Sequence, residues 1–195
     1  INSEGKSYVA TNLEISLSLL HKKVALVGSD IRKPMLAKYL NLPTKGCVTS
    51  YLSDASYTVD DLIVASEFKG LDILPAGAIP PNPSELLQSQ RLDELFAELR
   101  KRYDYVVIDS APVAMVSDTF LLNRVADLTV YVSRARYTTT NLIDFIKQVH
   151  EQKRLPNIVT VLNGVGTTKK GYGYGYGYGY GYGYGYGHHI DKKKK

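Results

Sequence analysis

Tryptophan is absent from these 195 residues, and cysteine occurs once, methionine twice and phenylalanine four times. The single thiol, Cys47, can form no internal disulfide and supplies too few ligands for a zinc site, which fits a reducing compartment. No run of 18 or more apolar residues occurs, and the N-terminus lacks the pattern of a secretion signal. Any attachment to a membrane is therefore expected outside this chain. A basic stripe is missing as well. The net charge is +5, but residues 1–168 hold 18 Lys and Arg against 18 Asp and Glu; residues 169–195 hold six Lys and one Asp. The body is neutral, so nucleic acid is not an expected partner.

What is present is enough apolar material, 44% of the chain beside 22% charged residues, for one compact domain with a core. Short β-branched runs at 24–27, 71–74, 105–108, 128–132 and 158–162 read as strands. Between them, segments 7–20, 84–102, 117–125 and 138–152 repeat apolar residues at three and four positions and read as helices. Ser84 follows Pro75, Pro80, Pro81 and Pro83 and reads as a helix N-cap. The alternation predicts an α/β fold: a mostly parallel sheet with helices on both faces. In such sheets ligands bind beyond the carboxyl ends of the strands, which directs attention to the residues just after each strand.

Gly5-Lys6-Ser7 opens the first helix and matches the end of the phosphate-binding loop G-x-x-x-x-G-K-[ST]. In that loop, backbone N–H groups and the helix N-terminus cradle phosphates, the lysine neutralises their oxygens, and the hydroxyl ligates Mg²⁺. The same tripeptide also suits an ordinary helix start. The loop's first glycine and the strand before it, which would lie in the sheet interior, fall outside this chain. Residues 1–168 are therefore expected to be a P-loop domain truncated at its N-terminus, poorly stable and defective in ATP binding as given. A second signal is Val106-Val107-Ile108-Asp109-Ser110-Ala111-Pro112, an apolar strand ending in an acid that suits Mg²⁺. A third strand ends in Gly28-Ser29-Asp30-Ile31-Arg32-Lys33-Pro34. Plainer readings are a turn or cap for Asp109 and a local ion pair with Arg32 or Lys33 for Asp30. His21 and His150 lie near helix ends, where contact with the last carbonyls is expected.

Taken with the loop Gly77-Ala78-Ile79-Pro80-Pro81-Asn82-Pro83-Ser84-Glu85-Leu86-Leu87 and a tyrosine-rich C-terminus, these motifs resemble bacterial tyrosine kinases. That is a P-loop NTPase group related to the MinD and ParA ATPases. The resemblance implies ATP and Mg²⁺ as cofactors, with Gly5, Lys6, Ser7 and Asn163 on the nucleotide. It makes Ser7 and Asp109 metal ligands and Lys6 and Asp109 catalytic; with Gly28 in place of the family's first acid, Asp30 is expected to share the metal and complete the catalytic set. Asn163 would contact adenine, although in Asn163-Gly164 it also reads as a turn residue. The resemblance further implies autophosphorylation in trans within a ring-like homo-oligomer that controls capsular or extracellular polysaccharide synthesis and export. The implied partners are a membrane chain-length regulator, as domain or subunit, and a tyrosine phosphatase; the implied location is the cytoplasmic face of the bacterial inner membrane. One departure is plain. The family's strand carries two acids at i and i+2, and here the first is Gly28; Asp30 lies roughly 7 Å further along the same face.

Residues 169–195 form a tail. From 171 to 187 glycine and tyrosine alternate strictly, with the candidate phosphoacceptors Tyr172, Tyr174, Tyr176, Tyr178, Tyr180, Tyr182, Tyr184 and Tyr186, and residues 192–195 are lysine. Half glycine is costly to order, so a flexible tail is expected, spanning roughly 23 Å over its 17-residue repeat. Full phosphorylation would add about −12 to −16 charge and reverse the tail's sign. The resemblance favours a self-phosphorylating kinase. The competing readings are a MinD-like ATPase switch and a non-catalytic assembly module with an adhesive low-complexity tail.

Overall fold

The computed structural model describes residues 3–34, 36 and 46–166. By its internal contacts the chain divides into a body, Ile1–Val165, and a second unit, Gly166–Lys195. The eight tail tyrosines lie outside the described residues.

Helix α1 (Lys6–Leu19) starts after Gly5, whose φ of 92° is a left-handed conformation that glycine adopts without strain. Strand β1 (Val24–Gly28) follows, and its apolar residues Val24, Ala25, Leu26 and Val27 are fully buried, as in a strand covered on both faces. Burial of each larger side chain there stabilises the body by on the order of 2 kcal/mol. Next come α2 (Val48–Ser53), a 3₁₀ turn (Asp60–Leu62), β2 (Val64–Ala65) and β3 (Leu71–Leu74). Then α3 (Pro83–Gln88), α4 (Gln90–Arg102) and β4 (Tyr105–Asp109) lead to α5 (Asp118–Leu121), β5 (Thr129–Arg134), α6 (Thr140–Glu151) and β6 (Ile158–Asn163).

The first sheet has the order β2-β3-β1-β4, and β1 pairs in parallel with both β3 and β4. Only the short edge strand β2 runs antiparallel. Register aligns Gly28 with Asp109, so both strand ends of interest lie side by side. α1 packs across β1, β4 and β3. On the other face, Ala25, Val27 and Leu74 pack with Leu92, Leu95, Phe96 and Leu99 of α4, which recur at helical spacing. Arg100, Lys101 and Arg102 in the last turn of α4 suit the negative end of its dipole.

The structure corrects two expectations about the helices and keeps the α/β fold: its parallel strands fall in two sheets, because β5 and β6 pair with each other and not with β4. Among the described residues no strand bridges β4 and β5. The helix expected over 84–102 is broken at Ser89, whose extended backbone ends α3 and starts α4. The step of five from Leu87 to Leu92 already departs from helical periodicity. Ser84 is not a cap: Asn82 holds the N-cap position with Pro83 in the first turn, and the Ser84 hydroxyl is engaged elsewhere. At the end of α1, contact with the carbonyl of Ser18 comes from the backbone N–H of His21. No helix among the described residues is long and apolar enough to cross a membrane.

Candidate nucleotide-binding site

The first turn of α1 has no acidic side chain, and its leading N–H groups have no acceptors inside the helix. A helix start of this kind attracts anions through those N–H groups and the helix dipole. Lys6 and Ser7 stand in that turn, and the ends of β1 and β4 face it. Gly5, Lys6, Ser7, Asp30 and Asp109 all line one cleft of about 510 Å³, together with Gly28 and Lys33. Of the residues singled out along the chain, Gly5, Lys6, Ser7, Asp30 and Asp109 are thus brought together by the fold and Asn163 is not.

Ser7 Oγ donates to Asp109 Oδ2 at 2.8 Å, joining the helix start to the end of β4. Asp109 is only 9% exposed. Burial pushes its carboxyl above the ordinary value; the Ser7 hydroxyl and the Lys6 charge pull it back, and Asp30 pushes it up again. Its main-chain carbonyl accepts hydrogen bonds from both the N–H and the hydroxyl of Ser29, which ties β4 to the turn after β1. Asp30 is less embedded: its Oδ1 accepts the Lys33 N–H at 2.9 Å, a local turn. Two carboxylates and a hydroxyl converging on one cleft form a hard oxygen donor set that fits Mg²⁺, with a buried anion that a cation would neutralise. Ser7, Asp109 and Asp30 are the residues that would hold it.

At Gly28 the strand end is closed. A Cβ there would stand 2.9 Å from the backbone nitrogen of Ala76 and 3.4 Å from Leu36 Cδ2. A carboxylate at this position has no room unless the segment around Ala76 moves.

Asn163 does not line the cleft. Its Nδ2 donates to the carbonyl of Glu4 at 2.9 Å, and its Oδ1 accepts the Gly164 N–H. The amide sits so close to the loop that a Cβ on Gly5 would come within 2.2 Å of Nδ2. The loop is braced by residues that the motifs did not point to. Arg134 donates to the carbonyl of Ser3, and Thr138 Oγ1 donates to the carboxylate of the buried Glu4 at 2.9 Å.

A second support was also unforeseen. Arg32 does not pair with Asp30; its guanidinium grips Asp118 two-pronged, with Nη2 to Oδ1 at 3.0 Å, and Ser84 Oγ donates to the same Oδ1. The Arg32 hydrogen bond holds the Asp118 carboxyl below the usual carboxylate range, with burial opposing and Ser84 assisting. This triad ties the turn carrying Asp30 to the starts of α3 and α5. Nothing in the local sequence announces it, because Arg32 and Asp118 lie 86 residues apart.

Comparison with known proteins agrees with this geometry. A family model described as an AAA domain matches residues 3–159. The tyrosine-protein kinase ptk of Acinetobacter johnsonii is 32% identical over 168 residues, covering 86% of this chain and 23% of the relative. The chain therefore spans about a quarter of that relative's length. The kinase domain of the Escherichia coli tyrosine kinase ETK superposes with a TM-score of 0.80 at 27% identity, over 91% of this chain and 69% of that one. The VpsO kinase domain gives 0.77 at 33% identity, over 85% and 81%. The fold alone is shared with the Mg-ADP complex of the septum site-determining protein MinD from Pyrococcus horikoshii OT3, at 21% identity and a TM-score of 0.66, over 83% of this chain and 66% of that one.

Proposed function

Because the chain belongs to the AAA domain family and, within it, to the bacterial tyrosine kinases, we propose that it is the ATP-dependent catalytic part of a protein-tyrosine kinase. Its acceptors are the tail tyrosines, Tyr172 to Tyr186, of a neighbouring copy. The single observation that carries this reading is the Ser7–Asp109 hydrogen bond in the cleft that is also lined by Lys6 and Asp30.

In this reading the start of α1 and Lys6 bind the β- and γ-phosphates and neutralise charge as the phosphoryl group leaves. Ser7, Asp109 and Asp30 would hold Mg²⁺, which would supply neutralisation of phosphate charge. Asp30, accepting from its own turn, is the freer of the two acids and the one near enough to the cleft surface to orient a tyrosine hydroxyl. Because phosphoryl transfer through a loose transition state asks little of a base, positioning and neutral charge carry most of the rate. The loss of an acid at Gly28 is then tolerable. Asn163 acts on the nucleotide through the loop it braces, with adenine contact as its further role.

The wider reading follows from the family: a ring-like homo-oligomer phosphorylating in trans and controlling polysaccharide synthesis and export. It pairs with a membrane chain-length regulator at the cytoplasmic face of the inner membrane and is reversed by a tyrosine phosphatase. ATP labelled in its γ-phosphate tests the central claim on the intact protein. Label on tyrosine is the expected result; label released only as free phosphate would replace the kinase with a MinD-like ATPase switch, and unreacted ATP would leave an assembly module.

A further inference from the structure

Two carbonyls of the phosphate-loop segment are turned toward the second sheet. Arg134, the last residue of β5, donates through Nη1 to the carbonyl of Ser3 at 3.0 Å, and Asn163, the last residue of β6, donates to the carbonyl of Glu4 at 2.9 Å. The two donors are partners in the parallel ladder and stand side by side. A trans peptide points its N–H opposite to its C=O, and no cis peptide occurs among the described residues. Holding both carbonyls at the strand ends therefore turns the N–H groups of Glu4 and Gly5 the other way. Ser3 at φ 74° and Gly5 at φ 92° are both left-handed, and successive N–H groups in such a turn form an anion-binding hollow.

That conformation is unforced for Gly5 but strained for Ser3, and it persists only where the surroundings over-determine it. Thr138 supplies the further constraint. Its Oγ1 accepts the N–H of Arg134 at 2.8 Å, which leaves its one proton for the Glu4 carboxylate at 2.9 Å. Glu4 is only 2% exposed, so this hydroxyl-to-carboxylate bond is shielded from competing water. The Arg134 guanidinium lies 5.5 Å over the Tyr137 ring, which steadies the arm that reaches Ser3. Arg134, Thr138 and Asn163 do not line the cleft, whereas Ser3 and Gly5 do. The three side chains therefore act on the cleft through the loop.

We propose that Thr138 is a positioning residue for the nucleotide: through the Glu4 carboxylate it locks residues 3–5 to the end of the second sheet, with their N–H groups preset for phosphate. The inference rests on the nucleotide-site reading above. A hollow ordered before the ligand arrives spares binding the cost of ordering it. Loss of the hydroxyl frees Glu4 and lets Ser3 relax toward an ordinary backbone. The effect then falls on nucleotide affinity and not on the transfer step, because Thr138 touches no reacting atom.

Calorimetric titration of Mg-ADP into the intact protein, Thr138→Val and Thr138→Ser tests the lock. Valine keeps the shape and drops the hydroxyl, so about tenfold weaker binding is expected; serine restores the hydroxyl and is expected to bind within about twofold of the parent. In steady-state tyrosine phosphorylation the same loss is expected in KM for ATP, with kcat little changed. A valine variant that binds like the parent, a serine variant no better than valine, or a loss confined to kcat would overturn the lock and leave the nucleotide site standing. No binding by the parent would overturn both. Should the valine variant fail to fold, Glu4→Gln against Glu4→Ala decides. The glutamine oxygen still accepts the Thr138 proton, so about tenfold tighter binding than the alanine variant is expected, and equal affinities refute the proposal.

Discussion

Asp109 and Asp30 stand at the tips of neighbouring parallel strands and read alike along the chain, yet the structure treats them differently. Asp109 is buried, takes a hydrogen bond from Ser7 at the start of α1, and has its backbone carbonyl held twice by Ser29. Asp30 folds back on its own turn through the Lys33 N–H, and that turn is anchored by Arg32 to Asp118 and Ser84. One acid is fixed by packing and the other by local geometry. The first is desolvated and pinned on two sides; the second is held only by its own turn.

The sharpest test of that difference is Asp109→Asn, which removes the buried anion and is expected to lower kcat/KM for ATP-dependent tyrosine phosphorylation by about a thousandfold. The same comparison extends to Glu14 of α1, an acid that burial keeps neutral, with no hydrogen-bond partner among the described residues. Glu14 holds its proton more tightly when folded, at about 9 against an ordinary 4.5, so the native state carries the extra proton. Stability from this group is complete below about 4.5 and falls as pH rises, levelling off near 9. The slope in that window is about 1.4 kcal/mol per pH unit, or a cost of about 3 kcal/mol by pH 7. Glu14→Gln is expected to flatten this dependence in urea unfolding followed from pH 5 to 9; an unchanged slope would mean that water or movement of α1 relieves the carboxyl.

Asp30→Ala is expected to lose less than the Asp109 variant, on the order of tenfold to a hundredfold in activity. Full activity would remove Asp30 from the metal site, and a loss equal to that of Asp109→Asn would erase the distinction between the two acids. The smallest effect is expected at Gly28→Asp, which places an acid where the resemblance to the kinases expects one. The new side chain meets the backbone at Ala76, so a destabilisation of about 1–3 kcal/mol in the denaturation midpoint is expected, with no gain in activity. A gain would show that the segment around Ala76 yields.

Much of the site was legible along the chain because its parts are local. Gly5-Lys6-Ser7 needs only a helix start, and Asp109 only the end of an apolar strand. The longer helices and strands around them follow hydrophobic periods, and even the break at Ser89 is written in the spacing from Leu87 to Leu92. The short elements α2 and β2 carry too few residues for a period to show. The braces were illegible for a different reason. Thr138 reaches Glu4 across 134 residues and Asn163 reaches the carbonyl of Glu4 across 159, so no local pattern marks them as partners. Asn163 reads as a base contact or a turn, and its position in the fold adds a third role, holding the phosphate-loop backbone.

The chain's own order of residues determined the alternation of strands and helices, the two acid-tipped strands and the lysine and serine at the first helix turn, since each depends on neighbours a few positions away. Only the tertiary structure decided which acid is desolvated, that Gly28 is walled in by Ala76, that Arg32 serves Asp118 and not Asp30, and that Glu14 is sealed without a partner. Those outcomes depend on solvent exclusion by segments distant in sequence, and burial is a property of the packed whole that no stretch of residues carries alone.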